Sequence, residues 1–243
     1  MVADPPLSTS RRSTTTGAGK IVVVIPALNE QVAIRLVIAD IPDVVHEVIV
    51  VDNGSVDDTA AHAAAAGARV VHEPQRGYGR ACLTGIAALP DDTDIVVFLD
   101  GDYSDRPEEM ERLLEPLRDG VADLVIGSRV LGDREPGALL PQARFGNALA
   151  TFLIRLFYGV SYTDLGPFRA IRREALERIG MVDQDFGWTV EMQVKVARHG
   201  LRGVEVPVSY RRRHTGASKV TGTLAGTFRA GWKILYTIFL HAC

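Results

Sequence analysis

Short runs of apolar, mostly β-branched residues alternate along the first half of the chain with longer segments whose apolar positions recur at helical spacing. The runs predict strands buried on both faces, at 21–25, 48–51, 69–71, 95–99 and 124–126. The segments between them predict helices, at 31–39, 57–66, 77–88 and from Pro107 onward. Strands that alternate with helices in this way predict right-handed βαβ units and a parallel sheet over residues 20–130.

The second half of the chain is less regular. We predict helices at 141–158, 186–198 and 224–241, and a strand at the sheet edge at 204–208. The expected organisation is a flexible tail over 1–19, one α/β domain over 20–222 whose halves meet near residue 130, and a C-terminal helix within 223–243.

The C-terminal helix is amphipathic. One face carries large apolar side chains, at Leu224, Phe228, Trp232, Leu235 and Phe239. Another face is polar or basic, at Arg229, Lys233, Thr237 and His241. This profile is typical of a helix that lies at a membrane surface, although a helix packed on the core or in a dimer has a similar stripe. No run reaches the roughly 20 apolar residues that span a bilayer, so the expected membrane contact is peripheral.

Charge is distributed unevenly. The chain has a formal net charge of −3, whereas residues 201–243 carry seven Lys or Arg against a single Glu. A basic C-terminal region on an acidic body predicts an anionic partner at that end, and the overall charge argues against nucleic acid as that partner. The two cysteines lie far apart, and no apolar leader follows the N-terminal arginines, which favours a cytoplasmic protein with neither disulfide nor zinc site.

Candidate chemistry lies where the predicted strands end, because ligands of open parallel sheets bind at the carboxyl edge. The most informative segment is Asp100-Gly101-Asp102, which places two carboxylates one residue apart after an apolar strand. Like charges at that spacing repel unless a cation or hydrogen-bond donors compensate them. Mg²⁺ and Mn²⁺ take oxygen ligands and bridge to phosphates, which suits the pair. The alternative is an acidic turn that caps the helix near Pro107.

Five segments in order carry a family resemblance: IVVVIPALNE, VDNGSVDDT, RGYGRACLTGI, FLDGDYSDRPEEM and DLVIGSR. Together they resemble family 2 inverting glycosyltransferases, which have the GT-A fold, a mostly parallel central sheet flanked by helices. Later segments, TDLGPFRAIRREAL, FGWTVEMQVKVA and EVPVSYRRRHTGASKVTGT, are similar to the branch of dolichol-phosphate mannose synthases and polyprenyl-phosphate glycosyltransferases. The resemblance covers the chain beyond residue 20.

The resemblance implies roles for the residues at the strand ends. The nucleotide of a nucleotide-sugar donor would contact Pro26, Ala27, Asn29, Glu30, Asp52, Gly79, Asp100 and Gly101. Asp100 and Asp102 would hold Mg²⁺ or Mn²⁺, and Arg129 would lie near the phosphates and the sugar. The alternative for Arg129 is an ion pair at the surface. Mannose synthases often carry glutamine where this chain has Ser104, so the resemblance supplies no third side-chain ligand.

On the acceptor side the resemblance implies Asp164 and Glu191 as carboxylates able to serve as base. The acceptor phosphate would be held by Arg211, Arg213, Ser218 and Lys219. For each there is a structural alternative: Asp164 as a cap for the following turn, Glu191 as an exposed helix acid, and the basic segment as a solvated loop.

The expected activity is metal-dependent, inverting transfer of a sugar from a UDP-sugar or GDP-mannose to a polyprenyl or dolichyl phosphate, at the inner face of the cell membrane. Two alternatives stay open: the same chemistry on a soluble hydroxyl acceptor, and a silent nucleotide-sugar-binding subunit. The sugar, the base and the oligomeric state are left undetermined.

Overall fold

The chain folds around a seven-stranded sheet with helices on both faces, which confirms the predicted α/β class. The computed structural model describes residues 19–214 and 224–240, with only the backbone given for 224–230. The strands are β1 (Ile21–Ala27), β2 (Glu47–Asp52), β3 (Arg69–His72), β4 (Ile95–Phe98), β5 (Leu124–Ser128), β6 (Arg169–Arg172) and β7 (Gly203–Pro207). The α-helices are α1 (Ile34–Ala39), α2 (Thr59–Ala65), α3 (Tyr78–Ala87), α4 (Glu111–Arg118), α5 (Pro141–Tyr158), α6 (Arg173–Ile179), α7 (Trp188–Arg198) and α8 (Leu224–Leu240).

Strand order across the sheet is β3-β2-β1-β4-β6-β5-β7. Neighbouring strands are parallel except where β6 pairs with β4 and β5, to both of which it runs antiparallel. β6 therefore runs against the other six strands, and their carboxyl ends share one edge of the sheet. The predicted strand near residue 204 is β7, and it lies at the sheet edge as expected.

Two apolar cores cover the two faces of the sheet. Along β1, Val22 and Val24 belong to the core beneath α3, α5 and α7. Ile21, Val23 and Ile25 belong to the core beneath α1 and α4. All five side chains are fully buried, so the uninterrupted apolar run reflects a strand covered on both sides.

The predicted boundaries differ from the structure at several points. Residues 31–33 form a turn before α1, and α7 begins at Trp188 rather than at 186. A short 3₁₀ turn at Pro107–Glu109 precedes α4. Strand β6 and helix α6 were not predicted, because β6 is only four residues long and has arginines at both ends, which is unusual for an internal strand.

Helices α5 and α8 pack together on one side of the domain. The rings of Phe157 and Phe239 meet edge to face with centroids 5.3 Å apart. The Tyr158 hydroxyl donates to the Ile238 carbonyl. Within the described ranges, no helix combines the length and apolarity required to cross a bilayer. The predicted tail lies outside the described residues, apart from Gly19.

Candidate active site

The loops that carry the predicted site residues lie at the carboxyl edge of the sheet. The loops after β1, β2, β4 and β5 leave the sheet at this edge, and the loop before β6 enters it there because β6 is reversed. The predicted residues of both halves therefore come together, as expected for an open α/β sheet.

On the nucleotide side, the loops after β1 and β2 are tied together. Asn29 has a left-handed backbone, with φ of 52°. Its N–H donates to Ser55 Oγ at 2.9 Å, and its side-chain oxygen accepts the Val56 N–H at 2.9 Å. Asp52, which is 7% exposed, accepts the Ser55 N–H at 3.2 Å and lies 3.2 Å from His72 Nδ1. Pro26 and Ala27 lie just upstream, at the end of β1.

The loop after β4 carries a cluster of acidic side chains. Asp102 is 4% exposed and accepts the Ser104 N–H at 2.8 Å. Asp100 accepts the Tyr78 hydroxyl at 3.1 Å. Asp105, which the sequence did not single out, is 1% exposed, and its Oδ1 has no hydrogen-bond partner. The three side chains form an acidic cluster in which Asp102 and Asp105 are buried and Asp100 is partly exposed.

Burial and neighbouring negative charge disfavour ionisation of Asp100 and Asp105. Burial, and next the charge of Asp102, raise the pKa of Asp100 to about 7, against lowering contributions from Tyr78 and Arg213. Burial and the charges of Asp100 and Asp102 raise the pKa of Asp105 well above its usual range. A cation at this position would relieve the repulsion directly.

The donor set fits a divalent cation that completes its shell with substrate. In the part of the chain that the structure describes, no three His, Cys, Asp or Glu side chains are grouped so that they could hold a metal ion by themselves. Mg²⁺ is commonly bound through one or two carboxylates together with substrate phosphates and waters. Asp100 and Asp102 supply such a partial site, and Asp105 Oδ1 in the same loop is buried without a hydrogen-bond partner.

Arg129 and Asp164, both predicted site residues, bind each other. The backbone N–H and Nε of Arg129 donate to Asp164 Oδ2 at 2.8 and 2.7 Å, and its Nη2 donates to Oδ1 at 2.8 Å. The guanidinium also lies 5.0 Å from the centre of the Tyr210 ring. Burial disfavours the charged form of Asp164, yet the Arg129 charge and hydrogen bonds hold the pKa of Asp164 below its usual range. Asp164 is therefore a poor base and a strong anchor for Arg129.

The Asp164 loop is held by residues that the sequence did not reveal. Glu205 on β7 accepts the N–H groups of Thr163 and Asp164 at 2.7 and 2.9 Å. Asn147 on α5 accepts the Leu165 N–H at 2.8 Å, and Gln193 on α7 donates to the Asp164 carbonyl at 3.0 Å. These partners lie 18 to 42 residues away along the chain, and no local pattern marks them.

Glu191 lies in the protein interior and is bound to protein groups. It is fully buried, accepts the N–H groups of Val182 and Asp183, and pairs with Lys195 Nζ at 2.7 Å. The exposed-acid alternative is wrong, since the side chain has no exposed surface. A β-carbon on Gly79 would lie 2.1 Å from the Asp183 carbonyl oxygen, so this glycine allows α3 to pack against the same loop.

The basic segment after β7 lies on the acidic loop. Arg211 donates to the Tyr103 and Asp105 carbonyls at 2.7 and 3.1 Å, and its guanidinium stacks 3.4 Å from the Tyr103 ring centre. Arg213 bridges Glu30 at 2.8 Å and Asp102 at 2.7 Å. Both arginines are therefore bound to protein groups. Ser218 and Lys219, predicted to hold acceptor phosphate, lie outside the described residues.

A groove of about 940 Å³ leads away from the acidic cluster between α5 and α8. Its inner end is polar and includes Asp100, Asp102, Ser104, Arg129 and Arg213. Most of its remaining wall is apolar, including Leu140, Phe145, Leu149, Leu165, Phe186, Trp232, Ile234 and Leu235. One cavity thus joins a site for charged groups to a long apolar surface.

Comparison with known proteins identifies the family. Residues 22–180 match the family described as Glycosyl transferase family 2. An uncharacterized glycosyltransferase of Mycobacterium tuberculosis is 40% identical over 220 residues, 88% of this chain and 97% of that protein. The undecaprenyl-phosphate mannosyltransferase of Micrococcus luteus is 34% identical over 224 residues, 85% of this chain and 90% of that protein.

Solved structures agree with the sequence match. The glucosyl-3-phosphoglycerate synthase of Mycobacterium tuberculosis, crystallised with Mn²⁺, UDP-glucose and phosphoglyceric acid, superposes with a TM-score of 0.73 at 28% identity. The match covers 92% of this chain and 80% of that one. The fold, the ordered motifs and these matches lead to one conclusion: the chain is a glycosyltransferase that belongs to glycosyl transferase family 2.

Proposed function

We propose that the protein transfers a sugar, with inversion, from a UDP-sugar or GDP-mannose to a polyprenyl phosphate. The observation that carries this proposal is the groove between α5 and α8. It begins at Asp100, Asp102 and Arg129, where phosphates would bind, and continues along apolar side chains that suit an isoprenoid chain.

The surface around the groove also suits a membrane. Large apolar side chains on α5 and α8 are exposed, namely Phe145, Phe152, Leu156, Phe157, Trp232, Tyr236, Phe239 and Leu240. The two helices contain arginine and lysine but no aspartate or glutamate. Exposed apolar side chains together with the exposed cations of α5, Arg144 and Arg155, favour contact with an anionic lipid surface. Peripheral attachment would bring a lipid phosphate directly to the groove.

The residues divide the chemistry between them. Asp100 and Asp102 would hold Mg²⁺ or Mn²⁺, which when bound offsets the charge that develops on the departing nucleoside diphosphate. Arg129, kept in place by Asp164, presents positive charge at the inner end of the groove. An acceptor phosphate oxygen would form a bond to the anomeric carbon while the bond from that carbon to the diphosphate oxygen breaks, inverting the configuration.

A phosphate acceptor is consistent with the state of the predicted bases. Phosphate is already anionic and needs little proton removal, whereas a hydroxyl acceptor needs a carboxylate with an accessible oxygen. The carboxylates of Asp164 and Glu191 are both fully buried and bound to other groups. A soluble acceptor is the second candidate, favoured by the similarity to a synthase crystallised with phosphoglyceric acid.

The test compares acceptors under one set of conditions. Purified protein with Mn²⁺ is given UDP-sugars and GDP-mannose together with either undecaprenyl phosphate in detergent or 3-phosphoglycerate. We expect metal-dependent product with the lipid, none with 3-phosphoglycerate, and none from Asp102→Ala. Transfer to 3-phosphoglycerate at a rate equal to or above that with lipid would refute the lipid assignment.

A pair of variants tests the groove itself. Leu149→Glu introduces a charge into the apolar wall and should abolish transfer to lipid while Mn²⁺-dependent UDP binding persists. Val121→Glu introduces the same charge at an exposed position after α4, outside the groove, and should leave transfer unchanged. Equal transfer rates for the two variants would contradict the role of the groove.

A further inference from the structure

Arg213 lies where a cation is needed in the acidic site. Its Nη1 is 2.8 Å from a Glu30 oxygen and its Nη2 is 2.7 Å from Asp102 Oδ2. Both carboxylates are almost inaccessible, at 6% and 4% exposed. The guanidinium therefore forms two charge-assisted hydrogen bonds in a buried setting, where such bonds are strong.

These contacts compete with metal binding. The other oxygen of Asp102, Oδ1, already accepts the Ser104 N–H at 2.8 Å, so Oδ2 is the oxygen that Arg213 occupies. Arg129, the other arginine at the inner end of the groove, is bound to Asp164 through both side-chain oxygens. A divalent cation that binds Asp102 Oδ2 competes with Arg213 for that oxygen and is repelled by the guanidinium charge beside it.

Once it is released from Asp102, Arg213 is placed to bind a phosphate in the groove. It lines the same groove as Asp100, Asp102 and Arg129. Guanidinium is the side-chain group best matched to phosphate oxygens, so the arriving phosphate would replace the lost carboxylate contact. The exchange keeps the arginine paired in both states, which avoids an unpaired buried charge.

We propose that Arg213 is a displaceable internal cation: it neutralises Asp102 in the empty site and exchanges that carboxylate for a substrate phosphate when the divalent cation binds. This inference rests on the proposed donor site, and it concerns the order of contacts there rather than the identity of the sugar or acceptor. The phosphate belongs either to the nucleotide or to the acceptor.

The proposal predicts that removal of the Arg213 charge strengthens Mn²⁺ binding and weakens phosphate binding. A merely structural role of Arg213 predicts weaker binding of both. Mn²⁺ binding is measured by electron paramagnetic resonance, first without nucleotide. Arg213→Gln should bind Mn²⁺ about tenfold more tightly than wild type, which is about 1.4 kcal/mol and the scale of one charge-assisted hydrogen bond. Arg213→Lys should lie between the two proteins, since an ammonium cannot bridge both carboxylates with a fixed fork.

Phosphate binding is measured on the same proteins. If Arg213 receives the nucleotide phosphate, Arg213→Gln should weaken UDP binding in saturating Mn²⁺. If it receives the acceptor phosphate, UDP affinity should hold and the KM for polyprenyl phosphate should rise. Either result together with tighter Mn²⁺ binding supports the exchange.

Controls distinguish a failure of the proposed exchange from a failure of the proposed donor site. Arg106→Gln removes the same charge four residues after Asp102, from a side chain paired with Glu108, and should alter neither affinity. Thermal unfolding checks that each variant is folded. Unchanged or weaker Mn²⁺ binding by a folded Arg213→Gln protein would overturn the exchange alone. Wild-type protein that binds UDP with no dependence on Mn²⁺ would instead overturn the proposed metal-dependent donor site.

Discussion

Replacing Asp164 with asparagine tests the buried ion pair that positions Arg129. The Asp164 side chain is fully buried and that of Arg129 is 13% exposed. Asparagine has nearly the same shape, but it carries no charge and presents an N–H₂ group where one carboxylate oxygen accepted the guanidinium. The substitution therefore leaves a buried arginine without its counterion.

The expected cost follows from burial and geometry. Removing one partner of a buried ion pair typically costs about 3–5 kcal/mol. The lower end applies here, since asparagine keeps one oxygen acceptor for the Arg129 N–H groups, and we expect a loss of about 3 kcal/mol in the free energy of unfolding. For a protein of this size, each kcal/mol shifts Tm by roughly 2–4 °C, which gives a decrease of about 6–12 °C.

The chain supplies a control with the same geometry. The backbone N–H and Nε of Arg202 donate to Asp123 Oδ2 at 2.8 and 3.2 Å, and its Nη2 donates to Oδ1 at 3.1 Å. This pair lies at the surface, with the Arg202 side chain 56% exposed. Asp123→Asn should therefore lower Tm far less than Asp164→Asn does, because solvent screens the exposed pair. Equal shifts in thermal unfolding would refute the argument from burial.

The pH dependence gives a second reading of the same variant. The folded protein holds the pKa of Asp164 below its ordinary value, so the carboxylate stabilises the fold above that value and the effect is lost as pH falls through the folded pKa. The difference in stability between wild type and Asp164→Asn should be complete at neutral pH and should narrow as pH falls below about 4. A difference that stays constant in acid would show that the charge of Asp164 contributes nothing.

Three further outcomes follow from the site. Mn²⁺ binding in the absence of nucleotide should weaken as the pH falls from about 8 to about 6, because protonation of Asp100, whose pKa is about 7, competes with the metal. Calorimetry at the two pH values measures the affinities, and equal affinities would contradict this expectation. Glu191→Gln should lower the free energy of unfolding by about 3 kcal/mol, because the buried carboxylate holds backbone N–H groups and pairs with Lys195, yet it should leave kcat of the folded protein unchanged. A lost kcat with a normal Tm would restore a catalytic role for Glu191. Gly79→Ala should destabilise the protein by about 1–3 kcal/mol, because the new β-carbon would clash with the Asp183 carbonyl. The control is Gly146→Ala on α5, whose β-carbon meets no atom within 4 Å and which should stabilise the protein slightly. Thermal melts that rank the two variants the other way would refute the packing argument.

Much of the nucleotide half was predictable because its signals are local. The apolar run at Ile21–Ala27 is a strand covered on both faces, and Asp100-Gly101-Asp102 follows directly from β4. Strand ends in a parallel sheet share an edge, so placing Asp52 and the acidic loop together required only the strand assignments. The reversed strand β6 was missed because Arg169 is completely buried, its charge surrounded by backbone carbonyls instead of a carboxylate.

The sequence alone could not predict which side chains pair with one another. Motif position assigned separate roles to Asp164 and Arg129, whereas in the structure they form one ion pair although they lie 35 residues apart along the chain. Arg213 meets Glu30 across 183 residues, and nothing near either residue marks that contact. Pairings of this kind depend on which loops the sheet order brings to the same edge.

The sequence by itself determined the fold class, the family and the acidic loop, because strand periodicity and short motifs are properties of neighbouring residues. Tertiary structure alone decided which charges neutralise one another, which carboxylates are fully buried, and that an apolar groove between α5 and α8 opens onto the acidic cluster. The physical reason is that burial and charge pairing act through space, so they are decided only when distant segments meet.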